Sequence, residues 1–447
     1  MTPDRDDELG AALRSLDVPE HGPDFMASLV ARLEEGQVLR PPRWQRPLLL
    51  TTAAAAVALV VFAASSLLPE RSPTFVRPRV SSAAELRATV SKALATAETV
   101  HGQLTLECSV SFGPCAPPPG ATTTLRWAVT ATADGSERVT ALDGLDDTSY
   151  DATTAVGREI ATRDRVRPQA AEYVNVPPGA PDFSTRSPLR RQFGSLVRAF
   201  LDAGGDAPVH AGTAAGRKVW RLSVPVEPNK LAGPGGSGDH IDVVVDQQTG
   251  FPVEVKESLA GRALVTATLT ELVVDAPVVD GAFSLTFPAG ARPFHQDFGF
   301  QRTTLADLPA IVGYTPLVPR SLPGGFRLVQ ITAARTAQPT GAEGMNPPGR
   351  GVVSLGFRRG FDAIVVTTRL TGPDPAAWED PVATGEGFRD ARRPLSIGAG
   401  ALAGGSAEIV ITPRGVPHVW AVSPRLVVTI AGDATAAELQ RAIESMG

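Results

Sequence analysis

Motifs for catalysis and metal binding are the first thing that this 447-residue sequence lacks. Its six histidines are scattered, and no two of them stand at H-x-x-x-H spacing, so the sequence predicts no metal site. No Walker loop, G-x-S-x-G elbow or S-x-x-K motif occurs. The glycine-rich run at residues 233–238 follows no clear strand and opens no helix, so we interpret it as a flexible loop. We therefore predict no enzymatic activity and no cofactor.

Basic charge and cysteine are also scarce. A formal net charge of −5 gives no electrostatic footprint for nucleic acid. The two cysteines, Cys108 and Cys115, are separated by a short stretch with proline and glycine, and His101 is the only further metal ligand nearby in the sequence. In an oxidising compartment this pair predicts a disulfide, whereas in the cytosol it would be two free thiols or a redox pair. We predict the disulfide, and with it an extracytoplasmic location.

Two small groups of charge occur without ligand spacing. The acidic group occupies a turn-like segment, and because it lacks the ordered spacing of a calcium loop we interpret it as solvated. Its members are Asp143, Asp146 and Asp147. The basic group opens a predicted helix, and we expect its side chains to lie along the helix surface. Its members are Arg186, Arg190 and Arg191.

One long uncharged segment is present. Residues 48–68 contain no charged side chain, and as a helix they would extend roughly 31 Å, enough to cross a hydrocarbon core. Proline, arginine and tryptophan flank this run, as is typical of a headgroup region. We predict a transmembrane helix over 47–69, acting as a signal anchor, because the 47 preceding residues are too many for a cleavable signal peptide. Arginines on the two sides balance and do not decide the orientation.

The segment before this span, residues 1–46, is predicted to be helical and cytosolic. Phe25, Leu29 and Leu33 recur every four residues and form one apolar stripe. Two short helices bury no core of their own, so the stripe is predicted to contact a partner or the membrane surface. A partly disordered tail is the alternative.

The order of these features resembles a known group of proteins. Residues 16–25 read LDVPEHGPDF, and a short helix, a proline–arginine linker and a single span follow. This arrangement resembles the start of actinobacterial, membrane-anchored, anti-sigma-like proteins. The resemblance implies a cytosolic regulatory partner such as a sigma factor. Zinc-type anti-sigma modules have a histidine and two cysteines in this region, and this segment has only His21.

After a linker at 70–80, the sequence predicts an α+β fold with an antiparallel sheet, because strands come in runs and helices are segregated. A helix is predicted over 82–99 and another over 188–202, each with an apolar face. The predicted strands of this first outer domain, 81–295, are 103–112, 122–132, 241–246, 252–257, 262–274 and 282–287. Residues 247–250 join two of them as a hairpin.

Four short motifs within residues 80–290 carry a second resemblance. They are the VHG of 100–102, the IDVVVD of 241–246, the TGFPV of 249–253 and the FSLTFP of 283–288. Together with the order of the elements, these motifs resemble the LolA-like family. That family contains lipoprotein carriers and the RseB-like, lipoprotein-sensing regulators of envelope stress. The resemblance implies a curved half-barrel sheet, covered by helices, around an apolar cavity for acyl chains. The residues alone leave open whether the sheet closes on a solid core instead.

The remaining residues, 303–447, predict a second, smaller antiparallel α+β domain. Its predicted strands are 327–333, 352–357, 363–369, 407–411, 418–422 and 426–431. Thr435 and Glu438 have the spacing of a capping box and predict the start of a terminal helix.

Two functions are consistent with these features. The first is a single-pass membrane sensor, in which the outer domain binds a lipid or lipoprotein acyl chain and the inner segment contacts a cytosolic regulator. The second is a tethered lipid or lipoprotein carrier, or an envelope assembly factor, without a signalling role.

Overall fold

The structure is a computed structural model of the chain. It describes residues 80–112, 114–143, 146–161, 169–179, 187–226, 238–322, 324–335, 351–371, 392–410 and 416–447. The predicted span at 47–69 and the stripe of Phe25, Leu29 and Leu33 lie outside these residues and stay predictions. Within the described ranges, no helix is both long and apolar enough to cross a membrane.

A twelve-stranded sheet forms the larger part of the fold. Its strand order is β12-β6-β5-β4-β3-β2-β1-β11-β10-β9-β8-β7. All neighbouring strands are antiparallel except β12, which runs parallel to β6. The strands are β1 (Thr99–Cys108), β2 (Thr123–Thr132), β3 (Glu137–Ala141), β4 (Asp146–Asp151), β5 (Val156–Ala161), β6 (Gln169–Val174), β7 (His210–Ala214), β8 (Arg217–Pro225), β9 (His240–Asp246), β10 (Pro252–Leu259), β11 (Arg262–Val274) and β12 (Phe294–Asp297).

A second sheet has eight strands, all antiparallel, in the order β13-β14-β15-β16-β20-β19-β18-β17. They are β13 (Gln301–Arg302), β14 (Arg327–Ala334), β15 (Val352–Arg359), β16 (Asp362–Leu370), β17 (Arg392–Ser396), β18 (Ser406–Val410), β19 (His418–Val422) and β20 (Leu426–Gly432). Residues Arg77–Gly447 form one compact unit that contains both sheets, and the division into domains at 81–295 and 303–447 stays a prediction.

The described helices are few. They are α1 (Ala83–Thr96), a π-helical segment (Pro188–Phe193) that continues into α2 (Gly194–Asp202), α3 (Leu308–Val312) and α4 (Ala436–Glu444). Ser82 and Glu85 form a capping box at α1, and Thr435 and Glu438 form another at α4, so the predicted start of the terminal helix is confirmed. Capping boxes satisfy backbone N–H groups that the first helical turn leaves without partners.

The predictions agree best where apolar residues alternate strictly. The 262–274 strand and the 247–250 hairpin are confirmed. The predicted strand at 282–287 is wrong. There the chain makes two consecutive turns, in which the N–H of Ala282 donates to the carbonyl of Val279 and that of Ser284 to Gly281. Gly281, just before this segment, has a positive φ of 77°, which belongs to a turn and not to an extended strand.

Strands β3 to β6 have no counterpart among the predicted strands because polar residues and glycine interrupt the apolar residues on their inward face. Glu137, Tyr150, Gly157 and Tyr173 follow one another across these strands in the sheet register. Residues directly opposite in antiparallel strands share a face, so this row lies on the same side as the buried Val139 of β3. Without an apolar residue at every second position, the period-two signal is lost.

Candidate functional site

An apolar layer lies between the large sheet and the helices that cover it. We call α1, the π-helical segment and α2 the helical cover. Leu86 and Val90 of α1 are fully buried, and so is Phe200 of α2. The cover belongs to the same apolar cluster as the inward residues of β1 and β8 to β11. These sheet residues are Leu104, Leu106, Leu222, Val224, Val243, Val255, Val265, Ala267 and Leu269.

Helical periodicity explains why the cover lies on the sheet. Leu86 and Val90 are four residues apart, and Leu196 and Phe200 repeat that spacing on α2, so each helix presents one apolar stripe. α2 packs on β9 and β10. Most of the contact is therefore between aliphatic side chains, which is the kind of lining that apolar ligands require.

The disulfide lies at one end of this layer. Cys108, the last residue of β1, is bonded to Cys115, in agreement with the prediction, and both are fully buried. The intervening loop is tightened by paired backbone hydrogen bonds between Phe112 and Cys115, of 2.8 and 3.0 Å. The bridge therefore fixes the end of β1 to its loop.

A buried carboxylate also faces the layer at this end. Glu257 of β10 pairs with Val265, which pairs in turn with Cys108, so the three side chains share a face. Glu257 is only 4% exposed, and its carboxylate accepts a hydrogen bond from the N–H of Gly238. Burial of a carboxylate is costly unless it is hydrogen-bonded, and this contact offsets part of the cost.

The second sheet contacts the helical cover through one tight turn. We call residues 359–362, where β15 ends and β16 begins, the β15–β16 turn. The N–H of Phe361 donates to the carbonyl of Leu94 on α1, at 2.8 Å. Its ring meets Phe251 edge-on, with the centroids 6.3 Å apart. The guanidinium of Arg190, in the π-helical segment, lies 5.0 Å from the centre of the same ring.

Gly360 allows the backbone of the β15–β16 turn to approach the backbone of α1 this closely. Its φ is +56°, in the left-handed region that favours glycine. A Cβ at this position would lie 2.2 Å from the carbonyl oxygen of Leu94 and 2.6 Å from the carbonyl carbon of Ala95. No side chain fits in that space, so the turn lies directly against the last turns of α1.

Arg190 connects the same contact to the large sheet. Its side chain is 5% exposed and pairs with Glu137 at 3.8 Å, while a further N–H donates to the carbonyl of Thr132. The hydroxyl of Ser187 also donates to Glu137. The prediction that Arg190 lies along an exposed helix surface is therefore wrong. The reason is that Glu137, an inward residue of an unpredicted strand, provides its counter-charge.

A cluster of charges completes the junction between the cover and the second sheet. We call the following six residues the charge cluster: Arg198, Asp202, Arg359, Asp362, Asp433 and Glu438. Arg198 of α2 lies 3.5 Å from Asp362 and 3.2 Å from Asp433. Arg359 pairs with Asp362 at 2.8 Å. Asp433 also accepts a hydrogen bond from the N–H of Ala363, which fixes it beside the turn.

Burial perturbs the titration of this cluster. Burial, together with the nearby Asp433, raises the pKa of Asp362 to about 6, although Arg198 and Arg359 act in the opposite direction. Desolvation by the surrounding protein also raises the pKa of Asp202, although this residue keeps an exposed surface; Glu438 and Asp433 contribute and Arg198 opposes the shift. For Arg198, burial lowers the pKa, but Asp433, Asp362 and Asp202 more than compensate and raise it. Strongly perturbed groups of this kind are enriched at functional sites.

One member of the predicted acidic group, Asp147, departs from the prediction. Asp147 lies in β4, not in a solvated turn. One of its carboxylate oxygens accepts from the N–H of Ala141, and the other pairs with Arg138 at 3.6 Å. Among the described residues, no group of three or more His, Cys, Asp and Glu side chains is arranged to hold a metal ion. Arg186 and residues 233–237 lie outside the described ranges.

No protein-family model matches the sequence, and no curated protein matches it. Solved structures similar to the chain include MucB in complex with MucA(peri), at 15% identity and a TM-score of 0.28, covering 82% of this chain and 98% of that one. The Pseudomonas aeruginosa MucA/MucB complex has 14% identity, a TM-score of 0.27 and coverages of 82% and 98%. A LolA superfamily protein from Nitrosomonas europaea has 8% identity, a TM-score of 0.20 and coverages of 46% and 98%. Similarities of this size carry no argument about function.

Proposed function

We propose that this chain is a non-catalytic, membrane-anchored sensor of the cell envelope. Its large sheet binds a lipid or lipoprotein acyl chain in the apolar layer beneath the helical cover. Its predicted inner segment, with Phe25, Leu29 and Leu33, contacts a cytosolic regulator such as a sigma factor. The single predicted span at 47–69 connects the two sides, with residues 69–447 outside.

The observation that carries the proposal is that every part of the helical cover contacts the second sheet. α1 does so through the carbonyl of Leu94, the π-helical segment through Arg190 and α2 through Arg198. An acyl chain that enters the layer must displace the cover, because the layer is already filled by buried side chains. Displacement of the cover would then move or release the β15–β16 turn.

This coupling favours a sensor over the alternative, a tethered carrier. A carrier needs only an apolar binding site, and the contact between its cover and a second sheet would have no consequence. In a sensor, that contact converts occupancy of the layer into a change at the second sheet. No catalysis is required for such a signal.

The test of acyl-chain binding uses two variants on one helix of the full-length protein in detergent. Val90→Phe adds bulk to the buried face of α1, and Ala88→Phe adds even more bulk to its exposed face. Overfilling a packed layer typically costs about 1–3 kcal/mol. Because entry of an acyl chain displaces the cover and relieves that strain, we expect Val90→Phe to bind a fluorescent long-chain fatty acid roughly 5- to 150-fold more tightly than the wild type.

Ala88→Phe should bind like the wild type, and circular dichroism checks that both variants are folded. Failure of the wild type to bind the fatty acid, or equal binding by a folded Val90→Phe variant, would contradict the proposed site. Deleting residues 1–40 should abolish contact with the cytosolic regulator and leave fatty-acid binding intact. If that deletion instead leaves signalling unchanged, the carrier is the better description.

A further inference from the structure

The charge cluster holds more acids than bases at the point where the two sheets are joined. Four carboxylates, from Asp202, Asp362, Asp433 and Glu438, surround two guanidinium groups. The arginines belong to opposite sides of the junction, since Arg198 is on α2 and Arg359 is on the β15–β16 turn. Bulk water screens the buried charges of the cluster only weakly. The side chain of Asp362 is only 6% exposed, and that of Arg198 is only 16% exposed.

The charged groups that face Asp362 come from each element packed around it. α2 contributes Arg198, and the turn itself contributes Arg359. Asp202, also on α2, acts on Arg198. The connection between β20 and α4 contributes Asp433, and α4 contributes Glu438, which acts on Asp202. With all of them ionised the cluster has a net charge of two negative units, so one bound proton relieves repulsion at this junction.

We infer that this junction is a proton-dependent latch, which holds the second sheet to the helical cover more tightly in mildly acidic medium than in neutral medium. The latch stands on the geometry of the charge cluster. Its consequence for sensing rests on the proposed function: acidification of the outer compartment would raise the acyl-chain concentration needed to release the β15–β16 turn.

Asp362 has a different proton affinity in the docked and released states. In the docked state the pKa of Asp362 is raised to about 6, whereas the pKa of a released Asp362 exposed to water returns towards its ordinary value of 3.8. The docked state therefore binds the proton more tightly, and protonation favours docking. The gain begins as pH falls through about 6 and is complete once pH is below the value of the released state. Asp202, with its raised pKa, acts in the same direction.

The Phe361 amide reports directly on the latch, because its hydrogen bond to Leu94 crosses the junction. Hydrogen–deuterium exchange on the full-length protein in detergent, corrected for the intrinsic effect of pH, gives its protection at pH 5 and pH 7. We expect protection to be about tenfold greater at pH 5 than at pH 7, from the shift of one carboxylate between the two states.

Asp362→Asn should remove most of this pH dependence and leave only the contribution of Asp202, because an amide does not titrate in this range. Asp280→Asn, which removes an exposed aspartate outside the cluster, should leave it unchanged. If Asp362→Asn fails to fold, Asp433→Asn tests the same point, since loss of this neighbour lowers the pKa of Asp362 and should reduce the ratio. Equal wild-type protection at the two pH values, or an undiminished ratio in Asp362→Asn, would overturn the latch.

No lipid is added in this experiment. A protein that fails to bind fatty acid can still show the tenfold ratio, and a protein without the ratio can still bind fatty acid. Failure of the latch is therefore distinguishable from failure of the proposed acyl-chain site.

Discussion

Substitution of Gly360 tests whether the β15–β16 turn is held against α1 as the structure shows. In Gly360→Ala the new methyl group would meet the carbonyl oxygen of Leu94 at 2.2 Å, so the turn must move away by about 1 Å to reach ordinary contact. That movement breaks the Phe361–Leu94 hydrogen bond and separates Phe361 from Phe251. It leaves the rest of β15 and β16 paired.

The cost has two separable parts. An alanine in the left-handed region costs about 1–2 kcal/mol wherever it occurs. Loss of the hydrogen bond adds about 1 kcal/mol and loss of the aromatic pair about 0.5–1.5 kcal/mol. Gly261 offers a matched control, because it has a φ of +78° in the turn between β10 and β11 and no atom within 4 Å of its Cβ position.

Urea denaturation of the two full-length variants in detergent separates these parts. We expect Gly261→Ala to lose only the backbone contribution, and Gly360→Ala to be less stable by roughly a further 2 kcal/mol. The Phe361 amide should also lose exchange protection in Gly360→Ala and keep it in Gly261→Ala. Equal destabilisation of the two variants, with Phe361 protected in both, would refute the contact.

Two further predictions concern the disulfide and the topology. Replacing both cysteines with serine should lower the free energy of unfolding by about 2–3 kcal/mol in the entropy model of a short closed loop. Thiol labelling of the denatured, non-reduced wild type should find no free thiol. Two free thiols per chain would rule out the bridge. A reporter that works only in the cytosol should be active when fused at Gly36 and inactive when fused at Gly447, because residues 1–46 are predicted to be cytosolic and residues 69–447 outside. The reverse pattern would contradict the proposed sensor as well.

The elements that sequence predicts well are those whose apolar residues alternate strictly or whose ends carry caps. Residues 262–274 alternate along a strand that is buried on one face, and Ser82 and Thr435 start helices with capping boxes. β8 also carries such a signal, in the alternating Trp220, Leu222 and Val224. These features are local, so a single segment contains the whole signal.

The strands and contacts that sequence does not predict depend on distant partners. Glu137 and Glu159 occupy inward positions of the sheet only because Arg190 and Tyr173 meet them there. The short β12 pairs in parallel with β6, and nothing in its four residues indicates that partner. The charge cluster joins α2, the β15–β16 turn and α4, which are far apart in the chain. No spacing rule connects Arg198 with Asp362 or Asp433.

The most direct test of the central claim is the exchange protection of the Phe361 amide with and without a bound acyl chain. The full-length protein in detergent is measured at neutral pH, before and after saturation with a long-chain fatty acid. If an acyl chain displaces the helical cover and so releases the β15–β16 turn, protection of Phe361 falls on binding, while amides in the middle of β16 and β20 keep theirs. Fatty acid that binds without any change at Phe361 would contradict the account.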